Sequence, residues 1–307
     1  MKNDNPYRIL LFYKYVYIIN HENYARLHLR FCRALGVKGR ILIAQEGING
    51  TLSGTPGQTD AYIHSMHMDQ RFKDMDFKID KVHEPAFKKL YVRPKNEIVT
   101  MDLEKDVDPN IITGEHLSPK EFYSAMLNEK VVILDARNDY EYDLGHFKNA
   151  LRPDVRTFKE FPEWIKKNSD SLKDKKILTY CTGGVRCEKF TGLLLREGFE
   201  NVYQLKGGII NYSHDKSTKG SMFEGKCYVF DERISVEVNF AEGYTLIGKC
   251  YLCNKPHDRY VNCAHLSCHF QFICCEDCEV KYKRSCSREC REAEDHEYRR
   301  AGDLKFD

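Results

Sequence analysis

KKILTYCTGGVRCEKFTGLLLREG (residues 175–198) decides the fold. Its first part, KKILTYC, is an apolar run of the kind found in strands buried on both faces. Its last part, VRCEKFTGLLLREG, reads as a helix. Between them lies a short glycine-bearing turn, so Cys181 sits where a buried strand ends and a helix begins. In α/β proteins that carboxyl edge of the sheet is where ligands bind. The glycines allow successive N–H groups to turn inward as an anion nest. The following helix offers the positive end of its dipole, and Arg186 adds a permanent cation. All three favour a thiolate, the nucleophilic form of cysteine. A plain turn with one buried cysteine would need none of them.

Outward from this stretch, strands and helices alternate over residues 117–222. SPKEFYSAMLN is a helix with Ser118 as N-cap and Pro119 at its first position. VVILDAR and VYQLKGGI are further strands, so a parallel sheet with helices on both sides is expected. Residues 1–95 follow the order β-α-β-β-α-β, which suggests a ferredoxin-like, or acylphosphatase-like, α+β unit. There RILLFYKYVYI reads as a strand and NHENYARLHLRFCRALGV as a helix, with Leu27, Phe31 and Leu35 at helical spacing. Residues 96–116 read as a connector without an amphipathic period, and residues 223–307 as a cysteine-rich module with a charged tail. The class is therefore α/β multidomain.

The 307 residues carry a formal net charge of +2, with 42% hydrophobic and 31% charged residues, which argues against disorder. Any nucleic-acid binding must come from a local patch rather than from overall charge. No run is long and apolar enough for a membrane span, and MKNDNPYR lacks a signal peptide's apolar segment. A cytoplasmic protein without membrane association is expected. Of thirteen cysteines, ten follow residue 226. In a reducing compartment such clustering points to metal or catalysis.

These motifs carry a resemblance. ILDARNDYEYDLGHFKNA, with Asp135, Arg137, Glu141, Gly145 and His146, resembles the first signature of rhodanese domains. CTGGVR resembles their six-residue active-site loop of Cys181, Thr182, Gly183, Gly184, Val185 and Arg186, with Cys181 as nucleophile or persulfide carrier. LKGGI resembles the glycine pair after the last core strand. Tyrosine-phosphatase loops are one residue longer, and at that spacing this chain has Cys187, which cannot replace a guanidinium fork. Cys187 falls on the first turn of the helix, as a small buried residue or as a resolving thiol for Cys181.

The flanks narrow the resemblance. LIAQEGINGTLSG, LYVRPKNEIVT, DVDPNIITGEHLSPKEF and GHFKNALRPDVRTFKEFPEW are similar to signatures of the oxygen-dependent tRNA uridine(34) hydroxylases. The resemblance covers about residues 7–290. It implies an oxidoreductase that uses O2 and an unspecified electron donor to convert the wobble uridine of the tRNA anticodon loop to 5-hydroxyuridine. The residues themselves show no flavin or nicotinamide fingerprint, and no histidine pair with a carboxylate for non-haem iron. Two chemistries fit a reactive Cys181: thiolate addition to uracil C6, or a persulfide. The alternatives are a rhodanese-type sulfurtransferase and an RNA-binding or sulfur-carrier adaptor.

FKKLYVRPK (87–95) interleaves Lys88, Lys89, Arg93 and Lys95 with aromatics, which suits phosphate contact and base stacking. EGING (46–50) is a hairpin tip. In the tail, Cys250 and Cys253, and Cys275 and Cys278, form two Cys-x-x-Cys knuckles. With Cys263, Cys268, Cys286 and Cys290 they make eight thiols, enough for two tetrahedral structural zinc sites. Spacing does not tell which four share an ion. Cys274 is the spare thiol, and His257, His265 and His269 could each replace a ligand. The oligomeric state is not readable from the sequence.

Overall fold

The computed structural model describes residues 6–128 and 130–298; residues 299–307 of the expected charged tail lie outside them. The N-terminal unit runs β1 (Tyr7–Tyr15), α1 (His21–Leu35), β2 (Lys38–Ala44), β3 (Gly47–Gly54), α2 (Pro56–Met68), β4 (Phe77–Val82) and β5 (Leu90–Pro94). Its sheet has the order β4-β1-β3-β2-β5, antiparallel except where β5 joins β2. Thr55 and Gln58 form a capping box at the start of α2, with Pro56 at the first position. Gly36, at φ 76°, closes α1.

Alternate residues of β1, Leu10 and Phe12, pack with Tyr62 and Cys32 beneath the two helices. Leu11 and Tyr13 point to the opposite face, against the central unit. Coverage on both faces is why β1 reads as a continuous apolar run rather than an alternating one. The apolar stripe expected on α1 is rotated: Ala25, His28 and Cys32 are buried, whereas Leu27 is half exposed. His28 tolerates the interior because its Nε2 meets the Tyr62 hydroxyl at 2.9 Å.

The central unit contributes β6 (Glu115–Leu117), α3 (Pro119–Asn128), β7 (Val131–Asp135), α4 (Asp139–Leu144), β8 (Gly145–Phe147), α5 (Phe161–Leu172), β9 (Lys176–Tyr180), α6 (Val185–Arg196), β10 (Val202–Leu205) and α7 (Gly208–His214). Strands β6-β10-β9-β7 form an all-parallel sheet. Phe161, Phe190 and Leu194 fill one side, and Phe122, Ile209 and Tyr212 the other. The α/β architecture expected from the sequence is present.

The connector is not a passive linker. Its end forms β6, and Ile98, Met101 and Val107 are buried. These anchors are single side chains at irregular spacing, so they leave no periodic signal. Beyond the parallel sheet, β11 (Phe223–Tyr228) pairs with β8 and with β12 (Ser235–Glu237). A hairpin, β13 (Tyr260–Asn262) and β14 (Gln271–Ile273), and two short helices, α8 (Glu276–Lys281) and α9 (Arg288–Glu292), build the cysteine-rich end. Tyr228, Tyr260 and Ile273 pack with Leu144 to fasten it. No helix among the described residues is long and apolar enough to cross a membrane.

Candidate active site and metal centres

Strand β9 lies between β10 and β7 and delivers Cys181 at its carboxyl end. Gly184 takes φ 104°, and its N–H donates to the Cys181 sulfur at 3.2 Å. A side chain at Gly184 would be strained, and its Cβ would also lie 2.9 Å from the Tyr13 hydroxyl. From below, the amides of Ile209 and Ile210 donate to the carbonyls of Cys181 and Thr182 at 3.0 and 3.1 Å. Gly208 must be glycine for this approach, because a Cβ there would meet the Cys181 carbonyl at 2.5 Å.

Burial of Cys181 alone would raise its pKa. The Cys187 thiol, the Arg186 guanidinium and the Cys187 and Gly184 amides more than offset this, and the value falls to about 6. Cys187 itself is fully buried, and its thiol is pushed up by burial and by the Cys181 charge. Burial and the neighbouring charge thus favour a neutral thiol on Cys187 and a thiolate on Cys181.

Arg186, the cation of the loop, is paired. Its Nη1 and Nη2 donate to Glu141 at 2.6 and 2.9 Å, with both side chains nearly or fully buried. Glu141 stays ionised: burial pushes its carboxyl up, but Arg186 and Arg137 pull it below the usual range. The other signature residues brace the sheet. Arg137 is fully buried, paired with Asp135 at 2.7 Å and donating to the Gly145 carbonyl at 2.6 Å.

Above the loop lies a cavity of about 250 Å³ between the two units. Its roof is the open face of the N-terminal sheet. The strand registers align Leu11, Thr51 and Arg40 in one row, and Tyr13, Asn49 and Leu42 in the next. Its floor includes Cys181, Thr182 and Gly183, and Phe230, 47% exposed, lies at its side. Tyr13 donates to Glu188 at 2.8 Å, and Glu188 also meets His116 at 2.9 Å and Thr113 at 2.7 Å. The EGING tip is bolted to α6: Glu46 accepts from the Ile98 amide at 2.6 Å and pairs with Lys189 at 2.9 Å. Lys189 is fully buried and also pairs with Glu97 and Asp106 at 2.6 and 2.7 Å.

Lys88, Lys89, Arg93 and Lys95 are all exposed, on or beside the edge strand β5. Lys88 pairs with Glu232 at 3.0 Å, and the Arg93 guanidinium lies 5.1 Å from the Tyr91 ring centre. Register places Tyr91 beside Arg40 and Arg93 beside Leu42. The basic edge therefore continues the two rows of the cavity roof out to the surface. Phe230, Arg40 and Tyr13 were not singled out from the sequence. The period-two placement of Arg40 and Leu42 on β2, and of Asn49 and Thr51 on β3, was the available signal.

The eight cysteines gather as Cys250, Cys253, Cys275 and Cys278, and as Cys263, Cys268, Cys286 and Cys290. The pairs interleave along the chain. Sulfur–sulfur distances are 3.7 Å for Cys253–Cys275, 3.7 Å for Cys268–Cys286 and 3.6 Å for Cys286–Cys290. A tetrahedron with Zn–S bonds of about 2.3 Å has edges of about 3.8 Å, so the donor sets fit a tetrahedral thiophilic ion. Cys274, His257, His265 and His269 lie outside both groups.

A cysteine of lowered pKa at the carboxyl edge of a parallel sheet, in a six-residue loop, defines a rhodanese-like protein. The chain matches the family models described as UPF0176 acylphosphatase like domain over residues 7–98, Rhodanese-like domain over 118–215 and Rhodanase C-terminal over 224–291. It is similar to the solution structure of a rhodanese-like domain from Anabaena, with 25% identity and a TM-score of 0.31 over 37% of this chain and 80% of that one. It is 58% identical to the tRNA uridine(34) hydroxylase of Bacillus licheniformis over 94% of this chain and 89% of the relative. To that of Bacillus velezensis it is 54% identical, over 98% and 93%. The chain belongs to the tRNA uridine(34) hydroxylase family.

Proposed function

We propose that the protein hydroxylates uridine 34 of tRNA to 5-hydroxyuridine, with Cys181 as the essential thiolate. Family membership supplies the substrate and reaction class. The observation that carries the site is a lowered-pKa cysteine on the floor of a cavity large enough for one extruded pyrimidine. The reaction consumes O2 and two electrons: uracil, O2, two electrons and two protons give 5-hydroxyuracil and water. A thiolate adding to C6 makes C5 electron-rich, which suits attack on oxygen there, and elimination of the thiolate after loss of the C5 proton restores the ring. A persulfide on Cys181 is the rival active species; sulfur found on the active enzyme by mass spectrometry would favour it. Phosphates of the anticodon loop would run along the edge formed by Lys88, Lys89, Arg93 and Lys95.

Two zinc ions would fill the two four-cysteine groups. Four thiolates complete a tetrahedron and leave no open position, so their role is to hold the small module together. A tRNA substrate supports a cytoplasmic location.

The test is nucleoside mass spectrometry of tRNA from a strain lacking this gene, complemented with wild type or Cys181→Ser. Wild type should restore nucleosides derived from 5-hydroxyuridine, and the variant should not. Restoration of a thiolated nucleoside instead would assign sulfur transfer. Full restoration by Cys181→Ser would refute the role of the thiolate.

A further inference from the structure

The roof of the cavity carries a donor and acceptor pattern that the reaction itself does not require. Six side chains from β1, β3 and β2 face the Cys181 loop in two rows. Leu11 and Leu42 are apolar, and the Tyr13 hydroxyl is already committed to Glu188. The polar groups left are Arg40, Asn49 and Thr51. Among the described residues, no hydrogen bond or ion pair holds the Arg40 guanidinium or the Thr51 hydroxyl.

Asn49 is oriented. Its Nδ2 donates to the Ile98 carbonyl at 3.1 Å. That bond fixes which end of the amide is which, and it leaves Oδ1 as an acceptor without a protein partner among the described residues. Arg40 is a donor only. Diagonal neighbours on adjacent strands lie about 7–8 Å apart, within reach of one planar ligand by long side chains. The wall therefore presents an oriented acceptor beside a group that can only donate.

We propose that Asn49 and Arg40 select uracil over cytosine, Asn49 Oδ1 accepting the N3–H and Arg40 donating to the adjacent O4 of the base. Uracil offers a donor at N3 flanked by acceptors at O2 and O4. Cytosine offers an acceptor at N3 and a donor at its exocyclic amine, so both contacts turn repulsive when it presents the same edge. Phe230, from the side of the cavity, covers a face of the ring. The EGING turn acquires a chemical reason beyond its geometry, because it carries Asn49 on the strand that faces the cysteine. The inference rests on the hydroxylase reading for the identity of the base.

The test measures binding, so it needs no electron donor. Fluorescence anisotropy of the full-length protein would compare anticodon stem-loops that differ only in U or C at position 34. Wild type should prefer U by about tenfold or more, as expected for a paired donor–acceptor contact to a base edge. In Asn49→Leu that ratio should fall close to one, and Arg40→Met, at an exposed position, should lower it as well. A wild type without preference overturns the proposal, as does Asn49→Leu with the wild-type ratio. Should Asn49→Leu not fold, Arg40→Met alone decides: an unchanged ratio overturns the assignment. Equal binding of both stem-loops with normal 5-hydroxyuridine formation would refute only this selectivity. Absence of both binding and modification would refute the functional reading itself.

Discussion

Replacing Cys187 tests whether the thiolate of Cys181 is held by a neighbouring thiol. The Cys181 pKa falls to about 6 although the residue is fully buried, and the Cys187 side chain is the foremost of the groups that lower it. A hydrogen bond to a charged acceptor is worth about 1.5–3 kcal/mol. At about 1.36 kcal/mol per pKa unit, its loss in Cys187→Ala corresponds to a rise of about one to two units. The midpoint should move from about 6 to about 7–8, and the thiolate fraction at pH 7 from about nine-tenths to between a half and a tenth. The assay is the pH dependence of iodoacetamide alkylation, read by mass spectrometry of tryptic peptides. Cleavage after Lys176 and Arg186 isolates Cys181 on residues 177–186 and places Cys187 on the next peptide. Cys187→Ser keeps a donor in place, so its midpoint should stay within about half a unit of wild type. An unchanged midpoint in Cys187→Ala, or the same shift in the alanine and serine variants, would refute the reasoning.

Two further outcomes follow from the cluster on α6 and from the metal module. Lys189→Met leaves Glu46, Glu97 and Asp106 facing one another without a cation, and should cost about 3–5 kcal/mol in urea unfolding. Lys189 holds the Glu46 carboxyl down against the rise that burial causes, so without it Glu46 keeps its proton to higher pH in the folded state and the deficit should be largest at neutral pH and shrink as the pH falls; a loss below about 1 kcal/mol would show that the cluster does not stabilise the fold. Purified protein should release two zinc ions per chain to a colorimetric chelator, and Cys286→Ala should release one, since its partners belong to one group only; two ions from that variant would refute the grouping.

The cysteine loop was legible because its signals are contiguous. Strand, turn, glycines and helix lie within residues 175–198, and each has a local sequence signature. The thirteen cysteines were equally plain in number, but their grouping was not. The two donor sets interleave, so chain neighbours such as Cys253 and Cys263 belong to different groups. Arg186 was legible as a cation, but its pairing was not, because Glu141 lies 45 positions away. The connector looked structureless because Glu97, Ile98, Met101 and Asp106 each act alone rather than as one face of an element. On α1, a hydrogen-bonded His28 took the interior position that an apolar pattern would have given to Leu27. The cavity roof needed three strands in register, which no single segment reveals.

The two glycines of CTGGVR satisfy two constraints at once, and this links the generic loop to its particular cover. Gly184 has a φ that side chains resist, and the resulting turn aims its N–H at the sulfur. That is a requirement of the loop alone. A Cβ on Gly183 would lie 3.0 Å from Leu11, and one on Gly184 2.9 Å from the Tyr13 hydroxyl. Those contacts come from the N-terminal sheet, so they are requirements of the cover. The sheet can approach the thiolate this closely only because neither position carries a side chain. Close approach also displaces water from around the sulfur, which by itself disfavours the charged form. The Gly184 amide, the Cys187 thiol and Arg186 offset that desolvation from the opposite side. The same sheet that encloses Cys181 also presents Arg40, Asn49 and Thr51 to the cavity, so enclosure of the thiol and the polar lining above it arise from one packing contact.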